Sequence, residues 1–319
     1  VSMIRVLIAG VGRMGFAHAK AAATFPDVEI CGLVARNFEK WPHVTVEFPN
    51  ARLYNDYKAA LAEEKPDAVI ISSYTDTHAL YSSLAMEAGA DVFVEKPLGL
   101  TRREAGYTIA KARETGKKLV VGLILRHDAI WKKFIELARA QVPPITFTAN
   151  CNQHSTGEEW QLHQDILDAG LSPLVDCGIH YIDVMNQMCD AEVTDIDTVG
   201  ERQFDDIPTI NNTKMTMKFS DGSIFNFESG FGPKIDPNNK PIRRIESKSG
   251  VITINENNTI NNNGYIIRFS DQEYDKSILE QQKYFFTAIK EDINLEEHWI
   301  SVALCHAMAF VAEEDMQII

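Results

Sequence analysis

The segment Gly10-Val11-Gly12-Arg13-Met14-Gly15 constrains the fold of this chain more than any other. It directly follows an apolar run, Ile4 to Ala9, and opens an amphipathic stretch, Gly12 to Phe25, which is the strand-turn-helix context of a G-x-G-x-x-G fingerprint. The first glycine permits a tight turn, the second lets the backbone approach a pyrophosphate, and the third lets helix pack on strand. The pattern predicts a Rossmann-type domain in which Arg13 and Met14 adjoin a dinucleotide at the helix N-terminus. The alternative is a glycine-rich turn in an α/β protein that binds no nucleotide.

The end of the second apolar run indicates which nicotinamide cofactor the domain would bind. A carboxylate about 20 residues after the last glycine holds the ribose 2′-hydroxyl of NAD and repels the 2′-phosphate of NADP. Here the run ends Val34-Ala35-Arg36-Asn37, so Ala35 stands where the acid is expected and Arg36 can pair with a phosphate. We therefore predict that Ala35 and Arg36 contact the cofactor and that NADP is preferred over NAD. In the alternative, Arg36 is a surface cation, and Glu39 or another group binds the ribose of NAD.

The first third of the chain alternates short β-rich runs with helix-like segments such as Ala79 to Ala88. This alternation is typical of βαβ units in a doubly wound parallel sheet, and uninterrupted apolar strands indicate a sheet covered on both faces. We assign residues 1–122 to an NAD(P)-binding Rossmann domain. Its predicted strands are Ile4 to Ala9, Glu29 to Ala35, Ala68 to Ser72, Asp91 to Val94 and Lys118 to Gly122.

After residue 122 the pattern changes, and we assign residues 123–319 to an α+β domain for substrate binding and oligomerisation. A helix is predicted from Ala129 to Ala140, and two helices close the chain, at about 276–290 and 296–315. The Asn-rich stretch Asn255 to Asn263 is predicted as a hairpin loop. The predicted strands alternate apolar and polar residues, and they are Ile145 to Asn152, Thr213 to Phe219, Ser223 to Ser229, Arg243 to Ser247, Val251 to Asn255 and Tyr265 to Ser270.

Hairpin turn signals such as Asp221-Gly222 and Asn263-Gly264 separate these strands. They predict a large, open, mostly antiparallel sheet with one packed face and one bare face. Because a bare face is most simply covered by another subunit, we expect a homodimer or homotetramer that assembles through the C-terminal sheet.

Composition excludes several classes of partner. The formal net charge is -14 and no dense Lys/Arg run occurs, so the chain has no positive field for nucleic acid. No apolar stretch approaches the roughly 20 residues that a membrane-spanning helix needs, which predicts a soluble protein with no membrane contact. The five cysteines are an odd number, widely spaced and without a C-x-x-C pair, as expected for reduced thiols in the cytoplasm.

Three further segments, taken together with the fingerprint, resemble the Gfo/Idh/MocA oxidoreductases, the family of glucose-fructose oxidoreductase and inositol dehydrogenase. Val94-Glu95-Lys96-Pro97-Leu98 is similar to the family's E-K-P motif, and Val121 to Arg126 ends in an arginine that matches the family's. Asp176-Cys177-Gly178-Ile179-His180-Tyr181-Ile182-Asp183 resembles its D-x-G-x-H-x-x-D helix, and the upstream Trp160 is also typical. The resemblance spans most of the chain. It implies an NAD(P)-dependent dehydrogenase or reductase that acts on CH-OH groups of a sugar, inositol or related polyol.

The spacing of the third segment also has a physical meaning of its own. Residues 176, 180 and 183 are separated by four and three, so a helix would place them on one face. Oxidation of a secondary alcohol needs a base that takes the hydroxyl proton as hydride leaves, and histidine titrates in the useful range. His180 is the candidate base, while Asp176 orients the substrate or bonds His180 and Lys96 donates to the substrate oxygen, as matching residues do in the family. Asp183 would hold the helix or the tautomer of His180.

The resemblance implies further contacts around these groups. The segment Thr75-Asp76-Thr77-His78 resembles one that lines the family's cofactor, although Thr75 or Thr77 could instead cap a helix and leave His78 incidental. The implied cofactor contacts are Ser73, Thr75, His78, Glu95, Lys96 and Arg126, and the implied substrate contacts are Lys96, Arg126, Trp160, Asp176 and His180.

The substrate wall departs from the family pattern. Where the family often carries G-G-G before the D-x-G-x-H helix, this chain has Gly170-Leu171-Ser172-Pro173. An aromatic face and hydrogen-bonding groups suit a polyol, and Gln153, His154, Trp160 and His163 offer both, but alone they are equally consistent with a surface loop.

Two other functions fit parts of the pattern. Asp176 and His180 at i and i+4 could ligate zinc in a metal-dependent alcohol dehydrogenase, but no cysteine motif or third ligand accompanies them, and we predict no metal. A dinucleotide-binding redox sensor or scaffold needs no catalysis, because fold does not fix function. The joint presence of Lys96, Asp176 and His180 favours an enzyme.

Overall fold

The computed structural model describes residues 3–270 and 274–318. These residues form two compact units, one made of residues 3–124 and 274–303 and the other of residues 125–270 and 304–318. The chain therefore passes from the first unit to the second near residue 124 and later returns. The sequence prediction assigned the whole of 123–319 to one domain and did not anticipate this return.

The first unit is built on a parallel six-stranded sheet in the order β3-β2-β1-β4-β5-β6. The strands are β1 (Ile4–Ala9), β2 (Val28–Val34), β3 (Arg52–Tyr54), β4 (Ala68–Ile71), β5 (Asp91–Val94) and β6 (Leu119–Val121). Val6, Leu7 and Ile8 are fully buried, as expected for a strand covered on both faces. The doubly wound parallel sheet is confirmed, and the three-residue β3 is the strand that the sequence prediction lacked.

Helices cover this sheet. They are α1 (Arg13–Ala23), α2 (Pro42–Glu47), α3 (Tyr57–Glu64), α4 (Thr75–Glu87), α5 (Arg102–Thr115) and the returning α9 (Tyr274–Lys290). The helix α10 (Glu296–Glu314) begins in this unit, and the boundary between the units falls after its Ala303. The returning helix packs on α1 and on the residues just after it, where the Phe286 ring lies 5.2 Å from that of Phe25.

The second unit contains a nine-stranded mixed sheet in the order β14-β13-β12-β11-β7-β10-β9-β8-β15. Most neighbours are antiparallel, while β10 with β7 and β15 with β8 are parallel. The strands are β7 (Thr146–Gln153), β8 (Val193–Glu201), β9 (Asn212–Phe219), β10 (Ile224–Phe231), β11 (Arg243–Ser247), β12 (Gly250–Asn255), β13 (Thr259–Asn262), β14 (Tyr265–Arg268) and β15 (Gln317–Ile318). This confirms a large, mostly antiparallel sheet.

One face of this sheet packs against helices α6 (Ala129–Arg139) and α8 (Ile179–Met188), and α7 (Gly157–Asp168) lies in the same unit. The phenylalanine core includes Phe147 stacked on Phe225 with ring centroids 4.9 Å apart. The other face is polar, with cross-strand pairs such as Lys218 to Asp195 at 2.8 Å. The hairpin loop predicted for Asn255 to Asn263 is wrong, because Thr259–Asn262 pairs with strands on both sides.

No helix within the described ranges combines the length and the apolar character needed to cross a membrane.

Candidate active site

The glycine-rich turn lies at the carboxyl edge of the parallel sheet, between β1 and the N-terminus of α1. Gly10 has φ +91°, and a Cβ there would lie 2.5 Å from the Ser72 carbonyl oxygen. A Cβ on Gly15 would lie 1.9 Å from the Gly10 carbonyl oxygen, so helix and turn are in direct contact. These two glycines are therefore required by the fold itself.

Gly12 differs from both, because the space beside it is open. A Cβ there would have Trp41 Cζ2, at 3.9 Å, as its only neighbour within 4 Å among the described residues. Gly12 is also the N-cap of α1, and no side chain in the described part of the chain caps that helix. Arg13 and Met14 form its first turn. Open space and a helix N-terminus without a side-chain cap suit a pyrophosphate, so this loop fits a dinucleotide.

The strands on the two sides of β1, β2 and β4, also place side chains at this edge. Arg36 follows β2, and Tyr74 follows β4, on the other side of β1. The Arg36 guanidinium lies over the exposed Tyr74 ring, with Cζ 4.2 Å from the ring centroid. Ala35 is fixed through its backbone N-H, which donates to the Tyr54 carbonyl at 3.0 Å. Glu39 is exposed in a short 3-10 turn that the Asn37 side chain caps.

The segment from Ser73 to His78 forms the loop after β4 and the start of α4. Tyr74 is the N-cap and contributes no side-chain capping bond, so the alternative in which Thr75 or Thr77 caps the helix is wrong. The Thr77 hydroxyl instead bonds Ser73 Oγ at 2.6 Å and donates to the Tyr74 carbonyl at 2.7 Å. Thr75 is the first residue of the helix and is partly exposed.

His78 is not incidental, because its buried ring connects two loops. Nδ1 lies 2.8 Å from the Pro97 carbonyl oxygen, and Nε2 lies 3.1 Å from that of Ser73. Burial lowers the pKa of His78, while the two carbonyl oxygens oppose the shift. The side chain thus holds the E-K-P loop against the loop after β4.

Glu95 of the E-K-P segment is anchored inside the first unit. Its Oε1 accepts from Nε2 of His18 at 2.8 Å, and its Oε2 accepts from the Lys96 backbone N-H at 3.1 Å. The Gln282 amide donates to Nδ1 of His18 at 2.9 Å, which leaves Nε2 as the protonated nitrogen that faces Glu95. Lys96 is therefore fixed at its backbone by a buried network that includes the returning helix α9.

Asp176 and His180 lie in the second unit, on consecutive segments of different geometry. The segment Leu174–Gly178 is π-helical, and α8 begins only at Ile179. The single α-helix predicted over this motif is therefore wrong in its first turn, so the i, i+4 spacing does not by itself fix the separation of the two side chains. A Cβ on Gly178 would lie 2.9 Å from the Phe227 ring, which shows how closely this segment packs on β10.

Arg126 and Asp183 form an ion pair in the second unit. The guanidinium donates through Nε to Oδ2 at 2.8 Å and through Nη2 to Oδ1 at 2.5 Å, and Asp183 is only 1% exposed. Gln187 Nε2 also donates to Oδ2 at 3.0 Å. Asp183 thus connects α8 to the segment before α6, which agrees with the prediction that it holds the helix. Arg126 was predicted to contact cofactor and substrate, and the pairing with Asp183 was not predicted.

Trp160 and the polar residues near it belong to a small packed cluster. The Trp160 ring lies 5.0 Å from Phe204, and the His163 ring stacks on Phe231 at 4.2 Å. Burial lowers the pKa of His163, whose Nδ1 lies 2.8 Å from Ser155 Oγ. His154 Nδ1 lies 2.8 Å from the Ile235 carbonyl oxygen. The surface-loop alternative is wrong for His163, which lies in α7 and is buried.

Comparison with known proteins decides which family this architecture represents. A family model described as an oxidoreductase family with an NAD-binding Rossmann fold matches residues 4–123. A second model, the GFO/IDH/MocA C-terminal domain, matches residues 143–237. The chain belongs to the Gfo/Idh/MocA family.

Among Gfo/Idh/MocA relatives, the chain is 31% identical over 169 residues to a 4-carboxy-2-hydroxymuconate-6-semialdehyde dehydrogenase of Sphingobium sp., covering 50% of this chain and 54% of the relative. It is 28% identical over 201 residues to a scyllo-inositol 2-dehydrogenase (NAD(+)) of Bacillus subtilis, covering 62% and 57%. The matched part thus spans little more than half the length of these curated relatives.

The fold of the Gfo/Idh/MocA family extends over the whole chain. The crystal structure of scyllo-inositol dehydrogenase from Lactobacillus casei, with bound NAD(H) and scyllo-inositol, superposes with a TM-score of 0.79. It covers 99% of this chain and 97% of that one at 18% identity. At this identity the likeness establishes the fold.

Within this Gfo/Idh/MocA structure, the predicted residues fall into two groups. The glycine turn, Arg36, Ser73, Thr75 and Lys96 lie at the carboxyl edge of the first unit's sheet, whereas Arg126, Trp160, Asp176 and His180 belong to the second unit. Nowhere in residues 3–270 and 274–318 do three or more His, Cys, Asp or Glu side chains gather in an arrangement that could hold a metal ion.

Sequence reasoning missed His18 and Gln282. His18 follows Gly15 by three residues on α1, so it lies on the same helix face as the glycine that touches the turn. That spacing was a usable signal for a buried polar group. No comparable signal existed for Gln282, because nothing in its local pattern shows that α9 returns to the first unit.

Proposed function

We propose that the protein is an NAD(P)-dependent dehydrogenase or reductase that transfers hydride between nicotinamide and a CH-OH carbon of a sugar, inositol or related polyol. The observation that carries the proposal is the glycine turn, where Gly12 leaves open space at the N-terminus of α1 on a sheet of Rossmann order. The inositol dehydrogenases among its relatives support a cyclic polyol as the substrate class.

In this proposal His180 is the general base for alcohol oxidation and the general acid for carbonyl reduction. Bound nicotinamide supplies the hydride acceptor or donor. Lys96 donates a hydrogen bond to the reacting oxygen and stabilises its developing negative charge, while Asp176 orients the substrate or His180. The Lys96 backbone is held by the buried Glu95 and His18 pair, and α8 is held by Asp183 and Arg126. Pre-positioned groups of this kind are what proton transfer coupled to hydride transfer requires.

We further propose that NADP is preferred over NAD. Ala35 offers no carboxylate to a ribose 2′-hydroxyl, and the exposed Arg36 guanidinium lies at the carboxyl edge of the sheet, over the Tyr74 ring. A guanidinium offers several N-H donors that match the geometry of a 2′-phosphate.

The protein is also proposed to assemble as a homodimer or homotetramer through the nine-stranded sheet, and to act in the cytoplasm. The polar face of that sheet carries pairs such as Lys218 with Asp195 and Lys214 with Glu228. A polar face is compatible with assembly, because interfaces that are not obligate are about as polar as the rest of a protein surface. Light scattering at micromolar concentration should show more than one chain per particle, and a monomer would contradict the assembly.

The test of the enzymatic proposal is turnover with a panel of inositols, glycosides and open-chain polyols, in the presence of NADP+ or NAD+, measured by absorbance of the reduced nicotinamide. His180→Asn should lower kcat by at least about 100-fold, the usual contribution of general acid-base catalysis, with an unchanged dissociation constant for the nucleotide. Asp190→Asn, at a largely exposed position of the same unit, is the matched control and should turn over normally. Nucleotide binding without turnover of any compound would favour the sensor instead.

A further inference from the structure

Two cysteines from different elements meet at one amide in the second unit. Gln153 Nε2 donates to Cys151 Sγ at 3.6 Å and to Cys177 Sγ at 3.2 Å. Cys151 lies on β7, whereas Cys177 lies in the π-helical turn between Asp176 and Gly178. Both sulfur atoms therefore lie within 3.6 Å of the same nitrogen. They form a dithiol pair that links the sheet to the turn.

Cys151 differs electrostatically from three other cysteines of the chain. The hydrogen bond with Cys177 lowers the pKa of the Cys151 thiol, helped by Gln153 and the positive charge of Arg243, and it outweighs burial and the negative charge of Asp176. Burial instead raises the pKa of Cys31, Cys189 and Cys305. Since the thiolate is the reactive form, Cys151 has the character of an attacking nucleophile.

A cavity of about 170 Å³ gives small molecules access to Cys151. It lies within the second unit, and its walls include Cys151, Gln153, Tyr181 and Arg243. One water takes about 30 Å³ of liquid, so the space exceeds what a molecule the size of hydrogen peroxide needs. The polar lining suits such a molecule.

We propose that Cys151 and Cys177 are a modification site at which a hydroperoxide forms an intramolecular disulfide. The Cys151 thiolate attacks the terminal peroxide oxygen, the O-O bond breaks, and Cys151 becomes a sulfenic acid as hydroxide leaves from hydrogen peroxide, or an alkoxide from an organic hydroperoxide. The Cys177 thiol then attacks the Cys151 sulfur, and the sulfenic oxygen leaves as water. Two thiols lose two electrons and two protons in total, and the hydroperoxide is reduced. The disulfide covalently ties β7 to the turn that carries Asp176.

In the experiment, the purified 319-residue protein is treated with hydrogen peroxide and its intact mass is followed. The mass should fall by two hydrogen atoms, a peptide joining Cys151 to Cys177 should appear, and dithiothreitol should reverse both. Cys189→Ser is the matched control, since Cys189 is also half-buried, and it should lose the two hydrogens as the wild type does. Cys177→Ser should stop at the Cys151 sulfenic acid, which dimedone traps.

Several outcomes would overturn the site. They are an unchanged mass in the wild type, a linkage that involves any other cysteine, and two-hydrogen loss that persists in Cys177→Ser or Cys151→Ser. The readout is mass, so the result does not depend on whether the proposed dehydrogenase activity is found.

Discussion

Arg126 and Asp183 form a two-bond ion pair whose carboxylate is only 1% exposed and which fixes α8, the helix that carries His180. Breaking a buried pair by removing one partner leaves the other charge without compensation. Asp183→Ala should therefore lower the free energy of unfolding by about 3–5 kcal/mol, measured by urea denaturation. A matched pair on the surface provides the control: Arg139 bonds Asp190, which is 81% exposed, at 3.0 Å. Asp190→Ala should cost about 1 kcal/mol or less. If Asp183→Ala and Asp190→Ala lost equal amounts of unfolding free energy, the structural importance of the Arg126 pair would be contradicted.

The glycine turn yields a second contrast, between a position needed by the fold and one needed by the ligand. Gly12 has φ -64° and ψ -171°, which alanine adopts without strain, and the space that a Cβ would enter is open. Gly12→Ala should leave the free energy of unfolding within about 0.5 kcal/mol of the wild type and weaken dinucleotide binding at least about tenfold. Gly15→Ala, whose Cβ would overlap the Gly10 carbonyl, should instead lower the unfolding temperature. If Gly12→Ala bound the dinucleotide as tightly as the wild type does, the turn would not be part of the cofactor site.

His78 makes stability depend on pH. Burial lowers the pKa of its ring below the usual unfolded value of about 6.5. Below pH 6.5 the unfolded chain takes up a proton that the folded chain does not, so the free energy of unfolding falls as the pH falls toward the folded pKa. Urea denaturation at about pH 7.5 and about pH 5.5 should show a smaller fall for His78→Gln than for the wild type. The exposed His43→Gln should behave as the wild type, and an unchanged fall in His78→Gln would show that other groups cause it.

The local features of the fold could be predicted from sequence, because they depend on local spacing. The strand before Gly10 and the turn itself need only the apolar run and three glycines, and both are present in the structure. The short β3 and the Asn-rich β13 were missed, because pairing with neighbours decides them against weak intrinsic preference.

The remaining differences between the sequence predictions and the structure involve residues that are far apart in the chain. An amphipathic pattern shows that α9 has a buried face but not which unit buries it, so the Gln282 to His18 bond could not be foreseen. The π-helical turn at Asp176 packs closely on Phe227, a long-range contact, whereas spacing alone indicated an ordinary helix. The residues of the candidate site were therefore found by their motifs, but their buried partners required the structure.

Arg36 provides the test of cofactor preference. Its guanidinium is proposed to bind the 2′-phosphate, so Arg36→Ala should weaken NADPH binding at least about tenfold, equivalent to about 1.4 kcal/mol, and change NADH binding little. Arg13→Ala is a useful comparison at the same edge, because a residue beside the pyrophosphate should affect both nucleotides alike. Equal losses for the two nucleotides in Arg36→Ala would contradict its proposed role.

Titration of the purified protein with NADPH and, separately, with NADH, followed by nucleotide fluorescence, tests the central claim most directly. The dissociation constant should be at least about tenfold lower for NADPH, which corresponds to about 1.4 kcal/mol. Tighter binding of NADH would overturn the role of Ala35 and Arg36 and leave the dinucleotide site in place. Binding of neither nucleotide would contradict the assignment of the protein as a nicotinamide-dependent enzyme.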